Sequence, residues 1–213
     1  MKAWYFSDES RRLRYGDGRK IAVGVKHTVD CVPVLCKSGL HASVRAIDAL
    51  EYAPGPIIWR VELGGTINHE NDKCSATKRT YVAGGVDATE TLRAFARACA
   101  LDVVHLWDAP QVVKDYLVTG DESLRASAWA AAMAAAWAAA SWAAARDAAS
   151  WAAARAAASW AAARGAARAA AWAAAWAAAS WAAARDAARD AACGAQNARL
   201  ESMLEKLILE NDA

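Results

Sequence analysis

Gly55-Pro56-Ile57-Ile58-Trp59-Arg60-Val61-Glu62-Leu63-Gly64-Gly65 decides how the first half of this chain folds. Ile57, Ile58, Trp59, Val61 and Leu63 form a mostly apolar run bounded by breakers. A short run of this kind predicts a buried β-strand over 57–63. Pro54-Gly55-Pro56 stops the element before it, and Gly64-Gly65 is expected to end the strand.

Upstream, Lys2–Phe6 is a short strand candidate, and Arg11–Tyr15 pairs with it or follows it. Gly16-Asp17-Gly18 reads as a turn, because glycine accepts the positive φ that tight turns need. Lys20–Val25 and Val32–Leu35 are further β-branched runs of strand type. Val44–Tyr52 predicts a helix that stops before Pro54. Downstream, Thr77–Val82 predicts a strand. Ala88–Ala100 predicts a helix, with Leu92, Phe95, Ala96 and Cys99 at three- and four-residue spacings. Ala109–Val118 predicts a short helix with Pro110 in its first turn, where a missing N–H costs nothing. The expected fold class is α+β, a small mixed domain over residues 1–120 followed by long alanine- and tryptophan-rich α-helices over residues 121–213.

Composition changes sharply near Gly120. Thr119-Gly120-Asp121-Glu122 has the spacing of a capping box, a credible start for the helical part. Between Ala126 and Ala192 the chain is nearly an alanine polymer, and alanine has the highest helix propensity. Ser-Trp-Ala-Ala-Ala-Arg recurs there from Ser141, Ser150, Ser159 and Ser180. The first three copies are nine residues apart, about two and a half turns of a helix with about 3.6 residues per turn. Successive copies therefore face opposite sides: Trp142 and Trp160 share one, and Trp151 takes the other. Such a rod has two apolar flanks where an ordinary surface helix has one. Each tryptophan can bury about 200 Å², worth about 25 cal/mol per Å². That argues against a solvated, disordered tract. A β-solenoid ranks below helix because it wants β-branched residues at fixed positions. Gly165 and Gly194 are candidate bends, or places where another helix comes close. Arg146, Arg155 and Arg164 repeat at the same interval, and either stack on tryptophan faces or keep the surface soluble. The chain then closes with a single apolar stripe of Leu200, Met203, Leu204, Leu207 and Ile208, with Lys206 and Glu210 four apart on its solvent side.

A two-sided rod needs two neighbours. Either the tract folds back as a monomeric hairpin or copies assemble, and assembly is favoured because so short a closing stripe is unstable alone. The residues expected to carry assembly are Trp129, Trp137, Trp142, Trp151, Trp160, Trp172, Trp176, Trp181, Leu200, Leu204 and Leu207.

The formal charge is +2, which implies no strong field. Nucleic-acid binding through the tract's arginines is a weak option. No signal peptide and no membrane-type apolar run stand out. Five cysteines at irregular spacing point to free thiols and a cytoplasmic setting. His27, Cys31, Cys36 and His41 form a loose Cys/His cluster, but its gaps fit zinc poorly. Buried thiols and no metal site are expected. No Walker loop, dinucleotide fingerprint, nucleophile elbow or zincin motif is present.

Gly39-Leu40-His41-Ala42-Ser43, then Ala49-Leu50-Glu51-Tyr52, then the strand from Gly55 to Gly64, resemble the core of the ADP-ribosyltransferase superfamily, particularly its poly(ADP-ribose)-polymerase branch. The resemblance covers residues 39–65. It implies a nicotinamide flanked by His41 and Tyr52, with Ser43 on its amide and Gly39 in the same motif, and thus NAD as cofactor. The superfamily's first motif is absent, with Trp4-Tyr5-Phe6-Ser7 in its place. Its late catalytic glutamate is also missing, and Glu62, Glu70 and Glu90 are the substitutes, with Glu62 the catalytic candidate beside His41 and Tyr52. Tyr15-Gly16-Asp17-Gly18-Arg19, the Gly39–Ser43 phrase and Asp48–Gly55 also resemble an uncharacterised family found in bacteriophages and their hosts, whose members often carry alanine-rich tails. The function expected is that of a phage-type accessory protein. It would bind proteins and itself, inhibit a host defence complex from the host cytoplasm, and keep a degenerate nucleotide pocket with no cofactor. The alternative is an active NAD-dependent ADP-ribosyltransferase.

Overall fold

The computed structural model describes residues 1–138 and 182–212. The chain divides into two compact units, residues 1–89 with 200–213, and residues 90–199.

The first unit holds β1 (Lys2–Ser7), β2 (Lys26–Thr28), β3 (Leu40–Ala42), α1 (Ala46–Glu51), β4 (Ile57–His69) and β5 (Cys74–Asp87). All pairings are antiparallel, so the class is mixed α+β with an antiparallel sheet in the order β1-β4-β5-β2. β3 pairs with β5 beyond the end of β2: Leu40 lies opposite Ala76, and His27 opposite Arg79. The sheet also curls back on itself. Trp4 donates its backbone N–H to Ser43 (2.7 Å) and accepts from the Ser43 N–H (3.1 Å). β1 is thus bonded on both edges, which closes the ring β1–β4–β5–β3 at one point and protects an otherwise open edge.

The strand expected over 57–63 exists but does not stop at Gly64-Gly65. β4 runs on to His69, with a register shift between Gly64 and Ile67. Gly65 takes φ +70°, so the glycines make a bulge rather than a terminus. Lys20–Val25 is not a strand. Only Lys20 bridges, to Arg12, and Gly24 turns the chain at φ +81°. Val32–Leu35 is a tight loop closed by the Val34–Ser38 bridge, with Cys36 at φ +61°. β-branching is a weak prior there, and Pro33 has no N–H to give a ladder.

One face of the sheet makes the core: Ala3, Ile57, Trp59, Val61, Leu63 and Tyr81 pack with Leu13, Ile21, Leu40 and Ala42. Trp59 donates its indole N–H to Ser7 Oγ at 2.9 Å. The other face carries Trp4, Phe6, Ile58 and Arg60, because Trp4 opposes Arg60 and Phe6 opposes Ile58.

In the second unit, α2 (Thr89–Val103) buries Leu92, Phe95, Ala96, Cys99, Ala100 and Val103, the stripe expected from its spacing. α3 (Gln111–Thr119) starts after Pro110 and ends at Gly120, a left-handed cap at φ +69°. The capping box at Thr119 and Glu122 does not form. Thr119 Oγ1 instead donates to the Asp115 carbonyl (2.7 Å), and Asp121 accepts from the Ser123 N–H (2.9 Å). Glu122 pairs with Arg125. The left-handed turn at Gly120 places Asp121 at the helix entrance. α4 (Arg125–Ala138) packs on α3 and buries Ala128 and Ala132. α5 (Ala182–Asp212), whose residues from Leu200 on belong to the first unit, runs through Gly194 unbroken, so no bend marks that glycine, and among the described residues nothing approaches within 4 Å of a Cβ placed there. The expectations for Gly165 and for Trp142, Trp151, Trp160, Trp172, Trp176 and Trp181 lie outside the described residues, as does the side chain of Trp137.

Candidate functional site

β3 and the turns flanking it bring several polar groups together. Arg79 is 2 % exposed and therefore sits inside the fold with its charge. It donates from Nε (3.0 Å) and Nη2 (2.6 Å) to the Tyr81 hydroxyl, and from Nη1 to the His41 carbonyl. Its guanidinium also stacks at 3.8 Å over the Tyr5 ring. A buried charge is costly without partners. Here a phenol oxygen, a carbonyl and an aromatic face serve instead of a carboxylate.

The network continues through His27. Nε2 lies 3.1 Å from the Lys20 carbonyl, which can only accept, and Nδ1 lies 3.3 Å from the Tyr81 hydroxyl. The imidazole is therefore neutral with its proton on Nε2, and Tyr81 donates to Nδ1. Burial, then the positive charges of Arg19 and Arg79, lower the His27 pKa. Burial pushes the Tyr81 hydroxyl up to about 12. Both groups stay neutral across the physiological range.

His41 stands at the outer end. Its Nε2 accepts from the Cys36 N–H at 3.2 Å, and burial and Arg79 lower its pKa. Gly39, at φ +96°, lies so close to Ser75 that a Cβ would come within 2.3 Å of Ser75 Oγ. Ser43 is buried in the closing bridge to Trp4. Its position is structural, and its side chain is shielded from solvent. Tyr52, 47 % exposed, follows α1 and hydrogen-bonds Asp72, while the Lys73 ammonium lies 5.4 Å over its ring. The Asp72 hydrogen bond is the main cause that raises the Tyr52 pKa. Glu62 is exposed on β4 and shares the face of Trp4 and Arg60. Leu63 opposes Arg79, so Glu62 points away from the Arg79 side.

The structure thus ties His41 to Arg79 and to the Cys36 loop, sets Tyr52 on the β4–β5 tip, and sends Glu62 to the opposite face. The five cysteines are free thiols, but Cys31 and Cys36 are exposed, not buried as expected. The loop holding them turns outward around Val34–Ser38. Among the described residues no three His, Cys, Asp or Glu side chains group to hold a metal ion. None of the described helices is long and apolar enough to cross a membrane. Reading the sequence missed Arg79, Tyr81 and Tyr5 as site residues, and weighed His27 only as a member of the loose Cys/His cluster. Their only signal was a charge and a phenol two apart on one strand, Arg79 and Tyr81, in a run of otherwise ordinary strand residues.

Arg79, Tyr81, His27 and His41 lie within a stretch that matches a known family, and Tyr5 lies outside it. A profile described as a domain of unknown function (DUF7666) matches residues 18–94, from the turn before β2 into α2. No curated protein and no solved structure matches the chain.

Proposed function

We propose that this is an interaction protein that works by self-assembly and protein binding. The carrying observation is on α4, the described start of the alanine tract. Ala128 and Ala132 are buried, whereas Trp129 is 47 % exposed on another side of the same helix. One flank is used within the unit, and an indole is left at the surface. An exposed tryptophan among methyl groups favours a protein partner. The polar groups of the β3 region favour the same reading. Ser43 is shielded, the Tyr52 hydroxyl is bonded to Asp72, and the His41 ring is held by Cys36. A phage setting and a host defence complex as target rest only on the resemblance of Tyr15–Arg19, Gly39–Ser43 and Asp48–Gly55 to the bacteriophage family, and the match to the domain of unknown function adds nothing to them.

Light scattering of the full chain tests the assembly reading. Oligomers that Trp129→Ala weakens are the expected result, with the fold retained by circular dichroism. Monomers at all concentrations would sink it. Trp151→Ala and Trp160→Ala, which the repeat puts on opposite faces, are both expected to weaken assembly.

The second reading is NAD-dependent ADP-ribosyl transfer. It draws on Lys73, whose ammonium lies over Tyr52 and whose charge acts on His41, so both aromatics share one electrostatic neighbourhood. Labelled NAD separates the two. Nicotinamide release that Tyr52→Ala abolishes would favour the transferase, and no release is expected of the interaction protein.

A further inference from the structure

The last part of α5 sits in a seat made by residues far away in the chain. Glu201 Oε1 accepts from the Trp4 indole N–H at 3.0 Å and from the Ala46 N–H at 3.2 Å. Arg60 stacks on the Trp4 ring at 4.1 Å and reaches Glu205 at 3.9 Å. Trp4 and Ala46 are fully buried, and Leu200, Leu204 and Ile208 are buried at four-residue spacing. The stripe expected to meet other copies is therefore already covered in this chain. Residues 90–199, the whole second unit, separate the seat from this helical strap. No bond in the seat depends on the strap belonging to the same copy. A strap supplied by a neighbour makes the same hydrogen bonds and buries the same leucines. Only linker entropy and concentration then decide between the two, which is the condition for domain swapping.

We propose that copies of this chain exchange their final helix, residues 200–212, so that the strap of one seats on Trp4, Ala46 and Arg60 of another. Charge complementarity supports the pairing: the strap brings Glu201 and Glu205 to a seat that offers two N–H donors and a guanidinium. The inference deepens the self-assembly reading and depends on it.

A charge-reversal pair in the full chain provides the test. Arg60→Glu alone opposes two carboxylates, and Glu205→Arg alone opposes two cations, whether the strap seats in its own chain or in an identical copy. Mixed together, only the exchanged heterodimer restores both opposite-charge contacts. Native mass spectrometry is expected to show heterodimers severalfold above random pairing. Random pairing of dimers that do form would overturn exchange and leave self-assembly standing. Monomers alone from the unaltered chain would overturn the assembly reading itself.

Discussion

Trp59 and Trp129 are the same side chain put to opposite uses. Trp59 is 2 % exposed, gives its N–H to Ser7 and meets the Tyr81 ring edge-on at 5.4 Å. Trp129 stands half in solvent on a helix whose buried contacts are made by alanines. The difference lies in the scaffold. A strand whose face turns inward delivers an indole to the core and supplies a cross-strand acceptor. An alanine helix packs through its methyl groups, so its large side chains fall beside the contact. Trp59 on its strand is part of the core, and Trp129 on α4 stands at the surface.

The sharpest way to break this contrast is Trp59→Ala. It empties a core position and leaves Ser7 without its donor, and is expected to cost about 3–5 kcal/mol by denaturant unfolding. A loss no larger than that of Trp129→Ala would erase the distinction. Glycines carry the same contrast. At Gly84, φ is +106° and a Cβ would come within 2.4 Å of the Ile58 carbonyl, so Gly84→Ala is expected to cost about 2 kcal/mol or more. Gly194, in a helix with nothing within 4 Å of its Cβ position among the described residues, should behave oppositely. Gly194→Ala is expected to raise stability by about 1 kcal/mol, and a fall in melting temperature would show that the glycine meets something in solution.

The buried network makes the sheet unit pH-sensitive. The folded pKa of His27 is lowered, so the native ring resists a proton that the unfolded chain accepts once the pH drops below about 6.5. Its influence is nil at neutral pH and above. Below that value stability falls, until the native ring also protonates. The slope can reach about 1.4 kcal/mol per pH unit. His27→Gln, which keeps an N–H for the Lys20 carbonyl, is expected to flatten the stability profile between neutrality and pH 5. An unchanged slope would assign the effect to other groups, among them His41, whose pKa moves the same way.

Much of the architecture was legible because it is local. The strand at Ile57, the stripe of α2 and the Pro110 helix start follow from spacing and composition alone. The errors share a cause. Gly64-Gly65 reads equally as a stop or a bulge, and only the opposite strand decides which. Thr119 and Glu122 have the spacing of a cap, yet the left-handed Gly120 between them turns the chain so that Asp121 does the work. At the candidate site, His41 and Tyr52 were picked out by a short phrase. That Arg79 would reach the His41 carbonyl from another strand has no short-range signature.

What the residue order determined by itself is periodicity: which stretches form strands, such as Ile57–Leu63, and which turn helically with one buried stripe, such as Leu92, Phe95, Ala96 and Cys99. Tertiary structure alone decided that Ser43 would close the sheet onto Trp4, that a guanidinium would be buried among phenols, and that Glu201 would bring the last helix back to the first strand. Apart from Arg79 with Tyr81, these contacts join residues tens to nearly two hundred positions apart. Their energies depend on burial and on hydrogen-bond geometry, and neither exists until the chain has folded.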